Sequence, residues 1–263
     1  MESSACVFVD GENLRHSLLG AFAEEGLLET NDYLPATANW SDFFDWVVEA
    51  ATGGSHHRLR AYWFVTQEID CFPYGLNRLV RPENRDKLRT ILSRHKPFRD
   101  ALKGLKDTAL ETAMGEQVEH LRRSQQRIES RFKGWNTVQN GIALKHRAVE
   151  FRRSGAISYN LFEERFGQEK CVDVRLACDM IMLRGIYDTA IIVSGDQDYV
   201  PAAQILKDSG KTVINVAFQK RNGELLPGGA RRLNIVMDAS LSVPYGTLRD
   251  LMGFGATQIP RAA

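Results

Sequence analysis

Residues 190–213 read AIIVSGDQDYVPAAQILKDSGKTV and decide the fold class. The apolar run over 189–193 predicts a strand that is buried on both faces. A helix is predicted over 199–209, with Asp198 as its N-cap. A second apolar run over 211–218 predicts another strand. Two buried strands joined by a helix and short links are typical of a parallel sheet that is covered by helices.

The same alternation occurs in the first third of the chain. Apolar runs over 5–9 and 58–66 predict two more strands, and helices are predicted over 13–25 and 41–51. A further helix is predicted over 172–184. The sequence therefore predicts an α/β fold with a central parallel β-sheet flanked by helices.

The middle of the chain differs in charge. Residues 78–153 contain 19 of the 34 Lys and Arg residues but only nine of the 33 Asp and Glu residues, which leaves 15 basic against 24 acidic residues elsewhere. We interpret 67–79 as a loop, 83–133 as two or three helices, and 143–161 as a hairpin or one strand with an irregular return. A mainly helical basic insertion is therefore predicted, with an anionic partner on its surface.

Composition excludes several classes of protein. With 43% hydrophobic and 25% charged residues, the chain is ordinary globular material and neither disordered nor fibrous. Its apolar runs are far shorter than the roughly 20 residues that span a bilayer, and its start does not resemble a signal peptide, so we expect a cytoplasmic protein without membrane contact. Cys6, Cys71, Cys171 and Cys178 lack metal-binding spacing and are expected to be free thiols.

Two of the predicted strands end in acidic residues. Asp10 follows the first strand, and Asp196 follows the strand over 189–193. Ligands of an open parallel sheet bind beyond the carboxyl ends of its strands, so neighbouring strands would bring these carboxylates together. Two close carboxylates repel unless a proton or a cation lies between them. A hard cation such as Mg²⁺ or Mn²⁺ is the natural partner of oxygen ligands, and we expect a metal site here.

The helix over 172–184 offers two further acids, Asp173 and Asp179. Their six-residue spacing puts them about 120° apart around an ideal helix, so both cannot point straight at one ion. Either one is a ligand and the other lines the rim, or Asp173 precedes the helix proper and bends inward. Asp198 has an alternative role as the N-cap of the helix that follows it.

Together these stretches resemble the NYN (LabA-like) family of the PIN-like nuclease superfamily. The matching motifs, in order, are VFVDGENL (7–14), YWFV (62–65), EKCVDVRLACDM (169–180) and AIIVSGDQDYVPAAQILKDSGKTV (190–213). The resemblance covers 5–75 and 155–240, and the stretch between them is not explained by the family core. The domains predicted on this basis are a nuclease domain over 1–75 and 155–245, the helical basic insertion over 76–154, and a C-terminal tail over 246–263.

The resemblance implies a ribonuclease that hydrolyses RNA phosphodiester bonds with Mg²⁺ or Mn²⁺. The implied catalytic residues are all acids: Asp10, Asp173, Asp179, Asp196 and Asp198. The implied metal ligands among them are Asp10, Asp179 and Asp196. The implied substrate-binding residues in the same motifs are Asn13, Lys170 and Ser194. The family motif Lys-x-Val-Asp favours Asp173. The spacing in the superfamily between the helix acid and the strand-end acid, here Asp196, favours Asp179, so both are retained.

The basic insertion would contact RNA phosphates without reading their sequence. Its arginines recur at helical intervals, and the candidate phosphate contacts are Arg122, Arg123 and Arg127. The aromatic candidates for stacking on bases, which would otherwise pack on the body of the protein, are Phe72, Tyr74 and Trp135. The alternative interpretation of the insertion is a homodimerisation surface or a surface for a regulatory protein partner.

Two rival functions fit the same residues. A catalytically silent RNA-binding or regulatory module would keep this fold and its acids. A flap-type DNA nuclease shares the sheet and the acids, so the sequence does not separate RNA from DNA. A dinucleotide enzyme is disfavoured, because no GxGxxG motif follows the first strand.

Overall fold

A computed structural model of the protein describes residues 3–29 and 32–255. Within those limits the chain divides into two compact units, here called the sheet unit and the arm unit. The sheet unit comprises Met1–Val65, Thr137–Ser154 and Cys171–Ala263, and the arm unit comprises Thr66–Asn136 and Gly155–Lys170. The arm unit overlaps the insertion predicted over 76–154 without coinciding with it, because 137–154 groups with the sheet unit.

The strands and helices alternate along most of the chain. In chain order the strands are β1 (Ser3–Asp10), β2 (His56–Phe72), β3 (Val149–Asn160), β4 (Arg165–Lys170), β5 (Thr189–Val193), β6 (Thr212–Gln219), β7 (Leu225–Leu226) and β8 (Ala239–Val243). The helices are α1 (Gly11–Phe22), α2 (Trp40–Thr52), α3 (Leu76–Leu79), α4 (Arg85–Leu92), α5 (Lys96–Leu102), α6 (Asp107–Lys145), α7 (Val172–Met182), α8 (Val200–Asp208), α9 (Ala230–Val236) and α10 (Tyr245–Leu251).

Parallel strands form the centre of the sheet unit, which confirms the predicted fold class. β1 pairs with β2 on one side and with β5 on the other, and β5 pairs with β6, which in turn pairs with β8. Each of these pairings is parallel, so β1 is the point at which the strand order reverses. The register aligns Val9 with Val193, and β1 and β5 therefore end side by side.

The side chains of β1 alternate between two buried faces. Val7 and Val9 pack with residues of α1 and α2, while Cys6 and Phe8 pack with residues of α7 and α8. Each face of the sheet has its own hydrophobic core, as expected for parallel strands that are covered on both sides. An acid at the end of such a strand consequently lies against the protein interior.

The arm unit has a separate hydrophobic core. One face of α6 supplies Leu110, Met114, Val118 and Leu121, whose spacing of three or four residues is that of a helix stripe. Leucines of α3, α4 and α5 pack against this stripe. β4 pairs antiparallel with the end of β3, with Ala156 opposite Lys170. The arm unit is therefore mainly helical, with a small antiparallel edge.

Several element boundaries differ from those predicted. The predicted loop over 67–79 is wrong except at 73–75, because β2 continues to Phe72 and α3 occupies Leu76–Leu79. α6 is 39 residues long, contains Gly115 and Gly134, and extends beyond the helical stretch predicted over 83–133. Each glycine costs a helix only about 1 kcal/mol relative to alanine, and the apolar contacts of the helix offset that cost.

Two later stretches can also be compared with the prediction. Of the two alternatives predicted for 143–161, one strand with an irregular return fits the structure, because β3 continues through Ser154 and Gly155 and β4 pairs back against it with a register shift. The predicted tail over 246–263 begins within α10, and its residues from 256 onward lie outside the described residues.

Across residues 3–29 and 32–255, no helix is both long enough and apolar enough to cross a bilayer. The 39-residue α6 is the longest candidate by length, and its mean hydropathy is too low because it is rich in charged residues.

Candidate active site

The end of β1 places Asp10 at the start of α1, where its side chain acts as the helix N-cap. Asp10 Oδ1 accepts a hydrogen bond from the backbone N–H of Asn13 at 3.0 Å, and Oδ2 accepts one from Asn13 Nδ2 at 2.5 Å. Gly11 has no room for a side chain, since a Cβ there would lie 2.5 Å from the carbonyl oxygen of Phe64. The Asp-Gly pair therefore lets the chain turn tightly from strand to helix while the carboxylate stays fixed.

The end of β5 brings a second set of polar groups to the same place. Ser194 Oγ donates to Asp10 Oδ2 at 3.0 Å and accepts from the backbone N–H of Asp196 at 3.1 Å. Asp196 Oδ1 in turn accepts from the backbone N–H of Asp198 at 2.9 Å. Two hydrogen bonds through Ser194 thus connect Asp10 with the loop that carries Asp196.

Tyr199 joins the strand-end acids to α7. Its hydroxyl lies 2.8 Å from Asp173 Oδ1 and 3.2 Å from Asp10 Oδ2, and its side chain is fully buried. A phenol carries one proton and cannot donate to both carboxylates at once. Sequence reasoning assigned no role to Tyr199. Its position directly after the Asp-Gln-Asp sequence was the available signal, because a buried tyrosine there needs a partner for its hydroxyl.

The electrostatics of this group show unbalanced negative charge. Burial, aided by the charge of Asp173, raises the pKa of Asp10 from 3.8 to about 6, against the lowering effect of its hydrogen bonds. Burial and the charges of Asp196 and Asp198 raise the pKa of Asp173. Burial and the two neighbouring carboxylates also raise the pKa of Tyr199, which therefore stays protonated. The negative charge of each ionised carboxylate in the group makes the ionisation of its neighbours less favourable.

Cationic side chains do not offset that charge. Among residues 3–29 and 32–255, neither Asp10, Asp173, Asp196 nor Asp198 forms an ion pair with Lys, Arg or His. Carboxylates that raise one another's pKa and have no cationic side chain beside them need bound protons or a cation from solution.

Asp179 has a different environment. Its buried carboxylate accepts a hydrogen bond from Arg152, which is in β3, and another from Arg175 at 3.0 Å. Arg152 also pairs with Glu150 and lies over the ring of Tyr62, 4.1 Å from its centre. These contacts argue against the predicted role of Asp179 as a metal ligand, because two guanidinium groups already neutralise it. Sequence reasoning did not find Arg152, since its partner is distant in the chain.

Two glycines hold the loop that carries Asp196. A Cβ built on Gly195 would lie 2.3 Å from Pro227 Cγ, and one built on Gly229 would lie 2.2 Å from the carbonyl oxygen of Gly195. Only glycine permits this approach of the two backbones. The segment that precedes α9 therefore packs directly against the loop after β5.

The other predicted site residues lie in the arm unit. Lys170 is exposed at the end of β4, and the predicted phosphate contacts Arg122, Arg123 and Arg127 are exposed on α6. Arg127 forms an ion pair with Glu164.

The three aromatic candidates for base stacking differ in exposure. Trp135 is buried beside Phe166, and Phe72 packs with the arm core, whereas Tyr74 is 65% exposed. Trp135 and Phe72 therefore follow the alternative interpretation, that they pack within the protein.

The family model of the NYN domain matches residues 90–226, which is just over half of the chain. The chain belongs to the NYN domain family. The matched range contains Asp173, Asp179 and Asp196 and begins after Asp10. Unlike the predicted range, it omits 5–75 and includes most of the stretch 76–154 that the motifs left outside the family core. The NYN family is of nuclease type, and the family suggested by the motifs is confirmed. Comparisons with curated proteins and with solved structures found no match.

PIN-like nuclease domains, to which the NYN domain is related, generally use divalent metals. As the side chains stand in residues 3–29 and 32–255, no three His, Cys, Asp or Glu residues are arranged to hold an ion. The donor chemistry nevertheless fits Mg²⁺ or Mn²⁺, because the group around Tyr199 consists of carboxylate and hydroxyl oxygens. Mg²⁺ is usually bound through one or two carboxylates, with water and substrate phosphates as its remaining ligands. Asp10 and Asp173 would supply two such carboxylates.

Proposed function

We propose that this chain is a divalent-metal-dependent ribonuclease whose active site is built on Asp10, Asp173 and Asp196. One observation carries the proposal. Asp10 and Asp173 come from distant parts of the chain, share the hydroxyl of Tyr199, and have no cationic partner among the described residues. Nuclease-type family membership and a negative group at the carboxyl ends of parallel strands point to the same chemistry.

The sequence left Asp173 and Asp179 of α7 as alternatives, and we assign Asp173 to the active site. The hydroxyl of Tyr199 connects Asp173 with Asp10, while Asp179 is neutralised by two arginines. Asp179 then has a structural role, in which it anchors α7 to Arg152 of β3. Asp198 lies at the edge of the group and contributes charge.

The bound metal would neutralise the phosphodiester and lower the pKa of a bound water. The side chains of this chain supply its position. Asn13 and Ser194 hold the Asp10 carboxylate by hydrogen bonds to both oxygens, so it needs no reorientation when substrate arrives. Tyr199 keeps Asp10 and Asp173 on either side of one hydroxyl.

The substrate contacts form a second part of the proposal. Lys170, Arg122, Arg123 and Arg127 are exposed cations of the arm unit, and we assign them to the RNA backbone. Contacts of this type weaken as salt rises, because each neutralised phosphate releases bound counterions. A cytoplasmic location remains a prediction from the sequence.

The decisive experiment measures RNA cleavage with Mn²⁺ or Mg²⁺ for the wild type, Asp10→Asn and Asp173→Asn. We expect each variant to lose about a hundredfold or more in rate, because each removes a ligand of the charge-stabilising ion. Asp188→Asn is the matched control, since Asp188 lies at the opposite end of β5 and hydrogen-bonds to Ser4. Equal rates for the wild type and both site variants would refute the proposal.

The same assay separates the rival functions. A silent RNA-binding module would bind RNA and release no metal-dependent products in any variant. A flap-type nuclease would cleave a branched DNA substrate faster than RNA, with the same dependence on Asp10 and Asp173.

A further inference from the structure

The arm unit contains a cavity of about 400 Å³ between α6 and the segment that leads into α4. Its floor is apolar and is formed by the buried side chains of Leu88, Met114 and Val118. Three arginines, Arg81, Arg85 and Arg122, lie around it. The volume falls within the range of about 300–1,000 Å³ that is usual for small-molecule sites. The acids of the proposed active site do not line this cavity.

The charges around the cavity are not balanced. Arg85 forms an ion pair with Glu111, the acid among the lining residues, and the two therefore neutralise each other. Arg122 approaches Glu119 only to 3.9 Å, in an exposed pair that contributes little. Arg81 takes part in no ion pair within the described parts of the chain. Arg81 and Arg122 thus leave net positive charge at the rim.

Gly115 lines the cavity from the N-terminal part of α6. Glycine is among the least favourable residues in a helix interior, and a Cβ built at Gly115 would meet no atom within 4 Å. A side chain at this position would therefore extend into the open space of the cavity. Gly134 lies in the same helix, also has no atom within 4 Å of a built Cβ, and does not line the cavity.

We propose that this cavity binds a nucleotide, with its base on the floor formed by Leu88, Met114 and Val118, and its phosphate at Arg81 and Arg122. A flat ring fits a compact apolar floor, and arginine is suited to binding phosphate through paired hydrogen bonds. An acidic peptide would satisfy the arginines but leave the apolar floor uncovered. The nucleotide is either free or an unpaired unit of an RNA strand, and the chemistry of recognition is the same for both.

Calorimetric titration of the full chain, without divalent metal, tests the proposal with two probes: 5′-AMP and a short oligoadenylate. We expect Gly115→Leu to lower the affinity for the bound probe by about tenfold or more, because it fills the cavity. Gly134→Leu is the matched control and should bind like the wild type. Binding of 5′-AMP identifies a free nucleotide as sufficient, and binding of oligoadenylate alone identifies a strand as the source.

Charge variants provide the second line of evidence. Arg81→Ala and Arg122→Ala should each weaken binding by about tenfold, since each removes a charged hydrogen-bond donor. Arg89→Ala, on an exposed arginine of α4 that does not line the cavity, should not. These variants also decide the question if Gly115→Leu does not fold. Wild-type affinity in Gly115→Leu and in both arginine variants overturns the proposal, as does binding of a polyglutamate peptide in place of both nucleotide probes.

The test is independent of catalysis. Loss of cleavage in Asp10→Asn bears on the proposed ribonuclease, whereas nucleotide binding to the arm unit is measured without metal and without turnover. If the chain cleaves RNA but binds no nucleotide in the cavity that Gly115 lines, only the cavity assignment is refuted.

Discussion

Replacing Asp10 by asparagine should stabilise the metal-free protein at neutral pH while it removes activity. Asp10 is 2% exposed, and burial is the largest cause that raises its pKa from 3.8 to about 6. An acid whose pKa is higher in the folded state binds its proton more tightly when folded. Its contribution to stability is therefore fully present below about pH 4 and is lost as the pH rises through about 6.

The size of the effect follows from those two pKa values. The difference between 3.8 and about 6 corresponds to about 3 kcal/mol of unfolding free energy lost by the wild type between acid and neutral pH. Asparagine does not ionise and avoids this loss. It places a second amide beside Asn13 Nδ2, however, and we expect about 1 kcal/mol of cost at every pH from the altered hydrogen bonds. Asp10→Asn should therefore be slightly less stable at acid pH and about 2 kcal/mol more stable at neutral pH.

Urea unfolding in the presence of a chelator, repeated between about pH 4 and about pH 8, measures this difference. Asp188→Asn is the control, because hydrogen bonds from Ser4 lower the pKa of Asp188 and its effect must run in the opposite direction. Mn²⁺ should then stabilise the wild type at neutral pH and not Asp10→Asn. A stability difference that stays constant across the pH range would refute the reasoning, because Asp10 would then not carry an unfavourable charge in the folded state.

Three further predictions concern the supports of the site. Gly229→Ala should cost about 1–3 kcal/mol of stability, because its Cβ would lie 2.2 Å from the carbonyl oxygen of Gly195, whereas Gly228→Ala, with no atom within 4 Å, should be neutral in the same urea titration. Asp179→Ala should cost about 3 kcal/mol, because it leaves Arg152 without its buried partner, and the double replacement Asp179→Leu/Arg152→Met should recover part of that loss. A chelator should stop RNA cleavage without changing the circular dichroism spectrum, because the sheet has its own hydrophobic cores; unfolding on chelation would contradict this.

Long apolar runs made the central strands predictable. A strand that is buried on both faces of a parallel sheet leaves an uninterrupted hydrophobic signal, and the strand ends at Asp10 and Asp196 were visible for that reason. The sequence left the adjacency of these two strands as a condition, and the structure meets it, since β1 pairs with β5. The strand prediction was wrong where the sequence has no long apolar run. The strand extension to Phe72 was missed because residues 67–72 are exposed or only partly buried and so form no apolar run.

The different environments of Asp173 and Asp179 depend on tertiary structure. Both acids lie on one helix, and their different environments follow from how α7 packs: Asp173 meets Tyr199, and Asp179 meets Arg152. The helix period gives the angle between two side chains but not the direction in which the helix faces. Arg152 lies 27 residues from Asp179 along the chain, so local sequence carries no sign of their contact.

By itself, the sequence determined the fold class, the family and the acidic ends of two strands, because local periodicity and short motifs record burial and turn chemistry directly. Tertiary structure alone decided which carboxylates share a hydroxyl, which one is neutralised by arginine, and that Gly115 lines a cavity beside α6. These facts depend on contacts between residues far apart in the chain, and such contacts form only after the helices have packed.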